Sequence, residues 1–254
     1  MKKYKIAVAG TGYVGLVAGV CFAEKGHQVM CVDVDEKKIE TMKKGISPIY
    51  EQDLEELMKK NYAEGRLNYT TNYKEAYKDA DAIFIGVGTP EQPDGSANLT
   101  YVATVSRQIA ETIEKDCLVV VKSTVPIGTN DKVEQFIKDS LVNNVKVEVA
   151  SNPEFLAQGT AVRDTLKAKR IVIGTESKEA EKKLMDAIDT QAVLNAEVVT
   201  LSRMAYRVIS EIGGKNETNL SKSGKAMLIY SILSNNKKEL KFLGKTDENV
   251  DMLD

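Results

Sequence analysis

The chain has 254 residues, of which 28% are charged and 43% are hydrophobic, with a formal net charge of −2. This length allows one large domain, or one domain and part of a second. The balanced charge, with no basic stripe, argues against nucleic-acid binding, and no apolar run approaches the roughly 18 residues that a membrane span needs. The two early lysines precede only a short apolar run, which predicts a first strand rather than a signal peptide.

The sequence contains three cysteines, Cys21, Cys31 and Cys117, which are scattered and form no CxxC pair. Free cysteine usually packs as a small hydrophobic residue. We therefore expect reduced, buried thiols in a cytoplasmic protein, rather than metal ligands or nucleophiles. No metal site is predicted.

Strand-like and helix-like patterns alternate along most of the chain. In chain order, they predict a strand at residues 4–9, a helix at 13–25, a strand at 28–32, helices at 36–44, 52–61 and 73–78, a strand at 82–87, a helix at 101–114, a strand at 117–122, a helix at 130–142, strands at 145–150 and 170–174, and a helix at 178–188. This alternation predicts a doubly wound, mostly parallel α/β sheet of the Rossmann type, with right-handed crossovers.

The composition changes past about residue 190, where the sequence becomes polar and rich in lysine and loses its strand signals. We predict one domain at residues 1–189, followed by a short helical segment of undefined fold at residues 190–254. Within that segment, residues 226–233 are long enough for one or two helical turns, and residues 245–254 are expected to fray.

A glycine triad at Gly10, Gly12 and Gly15 follows the first predicted strand and opens the first predicted helix. Gly10 allows a tight turn, Gly12 lets the backbone approach a pyrophosphate, and Gly15 lets the helix pack closely on the sheet. The helix N-terminus would present free N–H groups to the phosphates. A triad alone is a weak signal, but this placement predicts a dinucleotide site in residues 1–189.

Asp33 ends the second predicted strand, 18 residues after Gly15. A carboxylate at this position accepts hydrogen bonds from ribose hydroxyls and repels a 2′-phosphate, which favours NAD over NADP. Lys37 and Lys38 weaken that preference, because a cation there is able to hold a phosphate. The alternative interpretation is a glycine turn followed by an incidental surface aspartate.

Three further polar residues follow predicted strands: Thr89, Thr124 and Glu154. Ligands of open α/β sheets bind at the carboxyl ends of the strands, so the two hydroxyls are candidates for cofactor contact. Thr-Pro and Ser-Thr pairs also form turns and helix caps, and the residues alone do not separate the two roles. Glu154 is a candidate base or water ligand, or alternatively an acid in the first turn of a helix.

Six segments occur in order within residues 1–188: GTGYVGLVAGVCFAEKGHQVMCVDVDEKKI, SPIYEQDLEEL, GVGTPEQPDGSANLTYV, KSTVPIGT, NPEFLAQGTAVRD and RIVIG. Together they resemble the N-terminal part of the UDP-glucose 6-dehydrogenase family, NAD-dependent enzymes that oxidise the C6 alcohol of a sugar nucleotide to a carboxylate. The related UDP-N-acetylmannosamine dehydrogenases share this fold and chemistry. Their opening motif usually differs just after the third glycine, so UDP-glucose is the expected substrate.

The resemblance implies roles for three sets of residues. Those expected to bind NAD are Gly10, Gly12, Tyr13, Val14 and Gly15 at the pyrophosphate, Asp33 and Lys38 at the adenosine ribose, and Thr89, Thr124 and Glu154 along the pocket. Those expected to assist the water and proton steps of catalysis are Thr124 and Glu154. Those expected to contact the substrate are Glu154, Phe155, Leu156, Ala157 and Gln158.

One of these positions departs from the family pattern. Many members carry a second glutamate where this chain has Gln158, and that glutamate has been given the role of a base. An amide cannot take a proton, so the role is absent here or belongs to Glu154.

The family's reaction also uses a cysteine in a GGSCFPKD-like motif, which captures the aldehyde as a thiohemiacetal and then carries a thioester that water hydrolyses. The 254 residues contain no such motif. Lys215 and Asn216 have no support as counterparts of the lysine and asparagine that family members carry on a central helix. We therefore expect a truncated or divergent member that binds NAD without the catalytic cysteine, or alternatively a non-catalytic NAD-binding module.

The oligomeric state follows only from the resemblance. Family members are usually dimers through the central helix, so a homodimer is one expectation. That helix is not recognisable in residues 190–254, and the sequence leaves the question open.

Overall fold

The computed structural model describes residues 2–168 and 171–188. Its strands are β1 (Lys5–Ala9), β2 (Gln28–Val32), β3 (Leu67–Thr70), β4 (Ala82–Ile85), β5 (Cys117–Val121) and β6 (Val147–Ser151). Its helices are α1 (Tyr13–Glu24), α2 (Glu36–Lys43), α3 (Leu54–Ala63), α4 (Tyr73–Tyr77), α5 (Thr100–Thr112), α6 (Thr129–Ser140), α7 (Ala161–Leu166) and α8 (Lys178–Ile188).

The strands form one sheet in the order β3-β2-β1-β4-β5-β6, and neighbouring strands pair in parallel. The predicted doubly wound α/β class is therefore confirmed. The chain winds outward from β1 to β3 and then returns to β4 on the other side of β1, so the strand order reverses between β1 and β4. In open α/β sheets, ligands bind beyond the carboxyl ends of the strands at such a reversal.

Both faces of the sheet are covered, which explains the continuous apolar runs of the central strands. Every residue of β4 and β5 is buried. Ile6 and Val8 of β1 face the layer that contains α1, α2, α3, α7 and α8. Ala7 and Ala9 face the layer that contains α4, α5 and α6.

The prediction of a strand at residues 170–174 is wrong. Residues 169 and 170 lie outside the described residues, residues 171–173 have no regular structure, and Gly174 makes only an isolated antiparallel bridge to Ser151. Its N–H donates to the carbonyl of Ser151 over 2.9 Å, and the Ser151 N–H donates back over 2.8 Å. The apolar run therefore pairs with β6 at a single residue instead of forming a further parallel strand.

Two elements were not predicted: β3 and α7. The strand β3 is only four residues long, LNYT, and its extended form depends on parallel pairing with β2, where Leu67 stands opposite Val29. The predicted segment at 190–254, with its helical turns at 226–233 and its fraying end, lies outside the described residues, so the boundary at residue 189 stays a prediction.

The expectation of buried, unpaired cysteines is confirmed: Cys21, Cys31 and Cys117 are all free and buried. The single histidine, His27, is also buried, in the turn before β2. Its Nδ1 accepts from the N–H of Tyr4, and its Nε2 lies 2.9 Å from the carbonyl oxygen of Ala187. His27 therefore has a structural role at the end of the sheet opposite the glycine turn.

Three glycines bring β1, α1 and β4 into close backbone contact. A Cβ at Gly15 would lie 2.0 Å from the carbonyl oxygen of Gly10, and a Cβ at Gly86 would lie 3.0 Å from Cα of Gly15. Gly10 has φ +94°, a conformation that L residues with a Cβ rarely adopt. A side chain at Gly15 would therefore force α1 away from the sheet.

We expect Gly15→Ala to lower the free energy of unfolding by about 1–3 kcal/mol, because backbone atoms must move to admit the methyl group. Urea denaturation measures the change. Gly12→Ala is the matched control, since a Cβ at Gly12 meets nothing within 4 Å and should alter stability by no more than about 0.5 kcal/mol. Equal losses in the two variants would contradict the close approach.

Candidate functional site

The glycine turn after β1 is built to leave backbone donors free. The N–H of Gly10 donates to the carbonyl of Val32 over 2.8 Å, which ties the turn to β2. Gly12 is the N-cap of α1, is exposed, and has no side chain to cap the helix. The first N–H groups of a helix have no intrahelical partner, so the turn offers both donors and open space to an anionic group such as a pyrophosphate.

Hydrogen bonds hold the carboxyl ends of β4 and β5 together. The Ser123 hydroxyl donates to the carbonyl of Val87 over 2.6 Å, and the Thr89 hydroxyl donates to the carbonyl of Thr124 over 2.9 Å. The structure thus brings Thr89 and Thr124 together at this edge, as the sequence indicated. Because the Thr89 hydroxyl donates its proton to the carbonyl of Thr124, its oxygen is available to a ligand only as an acceptor.

Asp33 lies directly after β2 and contacts the glycine turn. Its Oδ2 accepts from the N–H of Thr11 over 2.9 Å, from the Thr11 hydroxyl, and from Nζ of Lys38 over 3.1 Å. Its Oδ1 accepts from the N–H of Asp35 over 3.1 Å. A carboxylate oxygen has two lone pairs, so Oδ1 keeps capacity for a hydroxyl donor such as a ribose.

These contacts also set the charge of Asp33. Burial alone would raise its pKa, but the hydrogen bonds from Thr11, Asp35 and Lys38 outweigh burial and hold the pKa at about 2, below the ordinary 3.8. The carboxylate is therefore ionised at any physiological pH. A fixed negative charge at this position favours a ribose hydroxyl over a 2′-phosphate.

Glu154 follows β6 and lies near a buried lysine. Its Oε2 is buried and has no hydrogen-bond partner among the described residues. Lys122, which is 9% exposed, donates to Oδ1 of Asn152 over 3.1 Å. Burial raises the pKa of Glu154 and lowers the pKa of Lys122, and each charge partly offsets the shift of the other. This arrangement favours proton exchange or water binding at Glu154.

The predicted substrate segment follows Glu154 directly. Phe155, Ala157 and Gln158 are exposed, with Phe155 at 58%, and Leu156 packs against the core layer beside α1. A cleft of about 700 Å³ is lined in part by Lys122, Asn152, Glu154, Phe155 and Leu156.

Only some of the predicted site residues line this cleft. Glu154, Phe155 and Leu156 share it, whereas Thr124, Ala157 and Gln158 are not among the described residues that line it. Thr124 instead lies beside Thr89. Of the two predicted catalytic residues, only Glu154 is among the described residues that line this cleft.

Sequence reasoning missed Glu51, which is only 6% exposed. Its carboxylate accepts hydrogen bonds from the Tyr13 hydroxyl and from the backbone N–H groups of Gly159 and Ala161. The segment SPIYEQDLEEL contains it, but an acid just before a helix is ordinary in sequence. Only the fold shows that this one is buried between α1 and the start of α7.

The described residues contain neither a cluster of metal ligands nor a membrane-spanning helix. No group of three or more His, Cys, Asp or Glu side chains in residues 2–168 and 171–188 is arranged to hold a metal ion. Over the same residues, no helix is both long enough and apolar enough to cross a membrane.

The strand-order reversal, the open glycine turn and Asp33 define a Rossmann-type domain that binds NAD. Comparison with known families gives its relationship: residues 4–192, more than half of the chain, match the NAD-binding domain of the UDP-glucose/GDP-mannose dehydrogenase family. The chain belongs to this family, which confirms the resemblance. A second family model, described as ADDB, N-terminal, matches residues 175–253, less than half of the chain and mostly outside the described residues.

Individual relatives agree. The chain is 52% identical over 179 residues to UDP-glucose 6-dehydrogenase YwqF of Bacillus subtilis, covering 70% of this chain and 41% of that protein. It is 44% identical over 212 residues to the UDP-glucose 6-dehydrogenase of Rhizobium meliloti, covering 82% and 48%. A solved UDP-glucose dehydrogenase from Pyrobaculum islandicum superposes with a TM-score of 0.74 at 37% identity, covering 94% of this chain and 53% of that one. The chain thus spans about half the length of the relatives it matches.

We expect Asp33→Ala to weaken NAD binding by about 1–3 kcal/mol, because hydrogen bonds to a charged group are lost. Isothermal titration calorimetry measures the affinity. Asp139→Ala, at an exposed position on α6, is the matched control and should bind NAD as the unaltered chain does. An unchanged affinity in Asp33→Ala would contradict the ribose assignment.

Asp33 should also make stability depend on pH. Its native pKa of about 2 lies below the ordinary 3.8, so its contribution is present above pH ~4 and is lost as the pH falls through about 2. The unaltered chain should exceed Asp33→Asn in free energy of unfolding by about 1–2 kcal/mol at neutral pH, and the difference should shrink in acid. Urea denaturation at several pH values checks this, and a constant difference would refute it.

Proposed function

We propose that this chain forms the NAD-binding half of a UDP-glucose 6-dehydrogenase. The reaction oxidises the C6 alcohol of UDP-glucose to the carboxylate of UDP-glucuronate, with water supplying the second oxygen and two NAD reduced to NADH. The observation that carries the proposal is the glycine turn at Gly12, open toward solvent, with Asp33 anchored beside it. The UDP-glucose 6-dehydrogenase relatives at 44% and 52% identity support the choice of substrate.

The residues of the turn fit NAD. The backbone from Gly10 to Gly15 and the start of α1 would hold the pyrophosphate, and Oδ1 of Asp33 would accept from the adenosine ribose. Thr89 and Thr124 would line the pocket where β4 and β5 end. Bound NAD supplies the hydride acceptor.

Among the residues of this chain, Glu154 would carry out the proton steps. Its Oε2 is buried and has no hydrogen-bond partner among the described residues, so it is suited to hold a water or accept a proton. Lys122 balances the resulting charge. Thr124 would act from the neighbouring strand end. Gln158 has no proton-accepting role.

The cysteines favour a second candidate function, a domain that binds NAD without completing the oxidation. Burial raises the pKa of Cys21, Cys31 and Cys117 to about 12 each. A thiol attacks an aldehyde as the thiolate, and none of these three is ionised or accessible near neutral pH. We therefore expect the chain by itself to bind NAD but not to carry out the four-electron oxidation.

The test is incubation of the chain with NAD and UDP-glucose, with NADH followed by absorbance and NAD binding by calorimetry. We expect NAD to bind and no NADH to accumulate. Two NADH per sugar would overturn the expectation that the thiol chemistry is missing, and an absence of NAD binding would overturn the proposal itself. Gly12→Ala, which fills the open space at the turn, should weaken NAD binding at least about tenfold while the chain still folds.

Binding of the sugar nucleotide separates the substrate alternatives. UDP-glucose and UDP-N-acetylmannosamine are compared by calorimetry, each in the presence of NAD. Tighter binding of UDP-glucose would support the proposal. We further propose a cytoplasmic location, which the three unpaired cysteines support, whereas the homodimer stays a prediction.

A further inference from the structure

We propose that Glu51 is a positioning residue that fixes the segment at residues 154–161 beside the dinucleotide turn. The inference rests on the proposed function in one respect, namely that Phe155–Gln158 contact the substrate. The contacts of Glu51 themselves do not depend on that assignment. Glu51 lies between α2 and α3, more than one hundred residues before the segment that it binds.

The Glu51 carboxylate joins its own loop to two other parts of the fold, α1 and residues 159–161. Its Oε2 accepts from the Tyr13 hydroxyl and, over 2.8 Å, from the N–H of Gly159. Its Oε1 accepts from the N–H of Ala161 over 2.8 Å. Both oxygens are therefore used, and charge-assisted bonds of this kind are stronger than those between neutral groups.

Glu51 also replaces the missing cap of α7. The N-cap residue Thr160 makes no side-chain bond to the helix N–H groups, because its hydroxyl instead contacts Oδ2 of Asp164 over 2.6 Å. The Glu51 carboxylate satisfies the Ala161 N–H and places a negative charge at the start of the helix, where it is favourable. The start of α7 thus depends on a side chain from elsewhere in the chain.

Tyr13 links this cap to the dinucleotide turn. It follows Gly12 directly and begins α1, and its hydroxyl also lies 3.5 Å from the carbonyl oxygen of Ala157. Glu51 thereby holds together the residue next to the open glycine and the residue in the middle of the substrate segment. Gly159, with φ +87°, supplies the turn that aims its N–H at the carboxylate.

The charge state of the pair suits this role. Burial would raise the pKa of Glu51, but the bonds from Tyr13, Gly159 and Ala161 outweigh it and hold the pKa below the ordinary value. Burial and the bond to Glu51 raise the pKa of Tyr13 to about 12. At neutral pH the carboxylate is therefore an acceptor and the phenol a donor.

Amide hydrogen exchange of the full chain tests the proposal. Glu51→Gln keeps the size of the side chain but turns an NH₂ group toward the backbone N–H donors. We expect residues 155–161 to exchange at least about tenfold faster, while β1 and β4 change by less than about twofold. Glu56→Gln, an exposed position on α3, is the matched control and should change neither.

Calorimetry on the same variants separates positioning from general damage. In Glu51→Gln, the affinity for UDP-glucose should fall at least about fivefold, a larger loss than that of the affinity for NAD, because the backbone donors of the turn at Gly12 stay in place. Unchanged exchange at residues 155–161, or an equal rise in β1 and β4, would overturn the proposal. Failure of the unaltered chain to bind UDP-glucose would count against the proposed function alone, since the exchange result would still decide the role of Glu51.

Tyr13→Phe is a second variant that tests the proposal if Glu51→Gln does not fold. It removes only the hydroxyl and leaves both backbone bonds to Glu51 in place. We expect a smaller rise in exchange, about threefold, confined to residues 155–161. No rise in that segment would overturn the proposal.

Discussion

The close contact of three backbone segments at Gly10, Gly15 and Gly86 is the constraint on which the rest of the structure depends. There α1 reaches the sheet with no side chain between them, and a single Cβ at Gly15 would lie 2.0 Å from a carbonyl oxygen. Because α1 starts so near to β1 and β4, its N-terminus opens at the point where the strand order reverses. A fold of this class places its ligand at that point, so the same contact that packs the helix also forms the binding turn.

Two carboxylates contact the turn: the half-buried Asp33 and the buried Glu51. Asp33, at the end of β2, accepts from the backbone and hydroxyl of Thr11, and Glu51 accepts from the hydroxyl of Tyr13. Thr11 and Tyr13 are the two neighbours of Gly12. Their side chains are thus drawn toward the protein, which leaves the backbone of Gly12 exposed to solvent. Each carboxylate keeps its charge because the hydrogen bonds it accepts outweigh the cost of burial.

The sequence predicted the parts of the fold whose information is local. The triad, the helix after it and Asp33 lie within one βαβ unit, and the apolar runs of β4 and β5 signal strands buried on both faces. The missed elements depend on distant partners. The short strand β3 is extended because it pairs with β2, α7 is capped by Glu51 from far along the chain, and residues 171–174 form one bridge instead of a strand. Residue patterns alone do not encode those pairings.

The same distinction separates the binding part of the site from its chemical part. NAD binding needs backbone shape and one carboxylate, and a contiguous stretch of about thirty residues supplies both. Oxidation needs groups gathered from several strand ends. Here Glu154 and Lys122 meet in a cleft while Thr124 stands with Thr89, and all three thiols are packed as core side chains. The residues proposed to bind the cofactor therefore gather around one turn, whereas those proposed for the reaction come from separate strand ends. Glu51 is the side chain that connects the two, since it binds both the turn that faces the cofactor and the segment that would face the sugar.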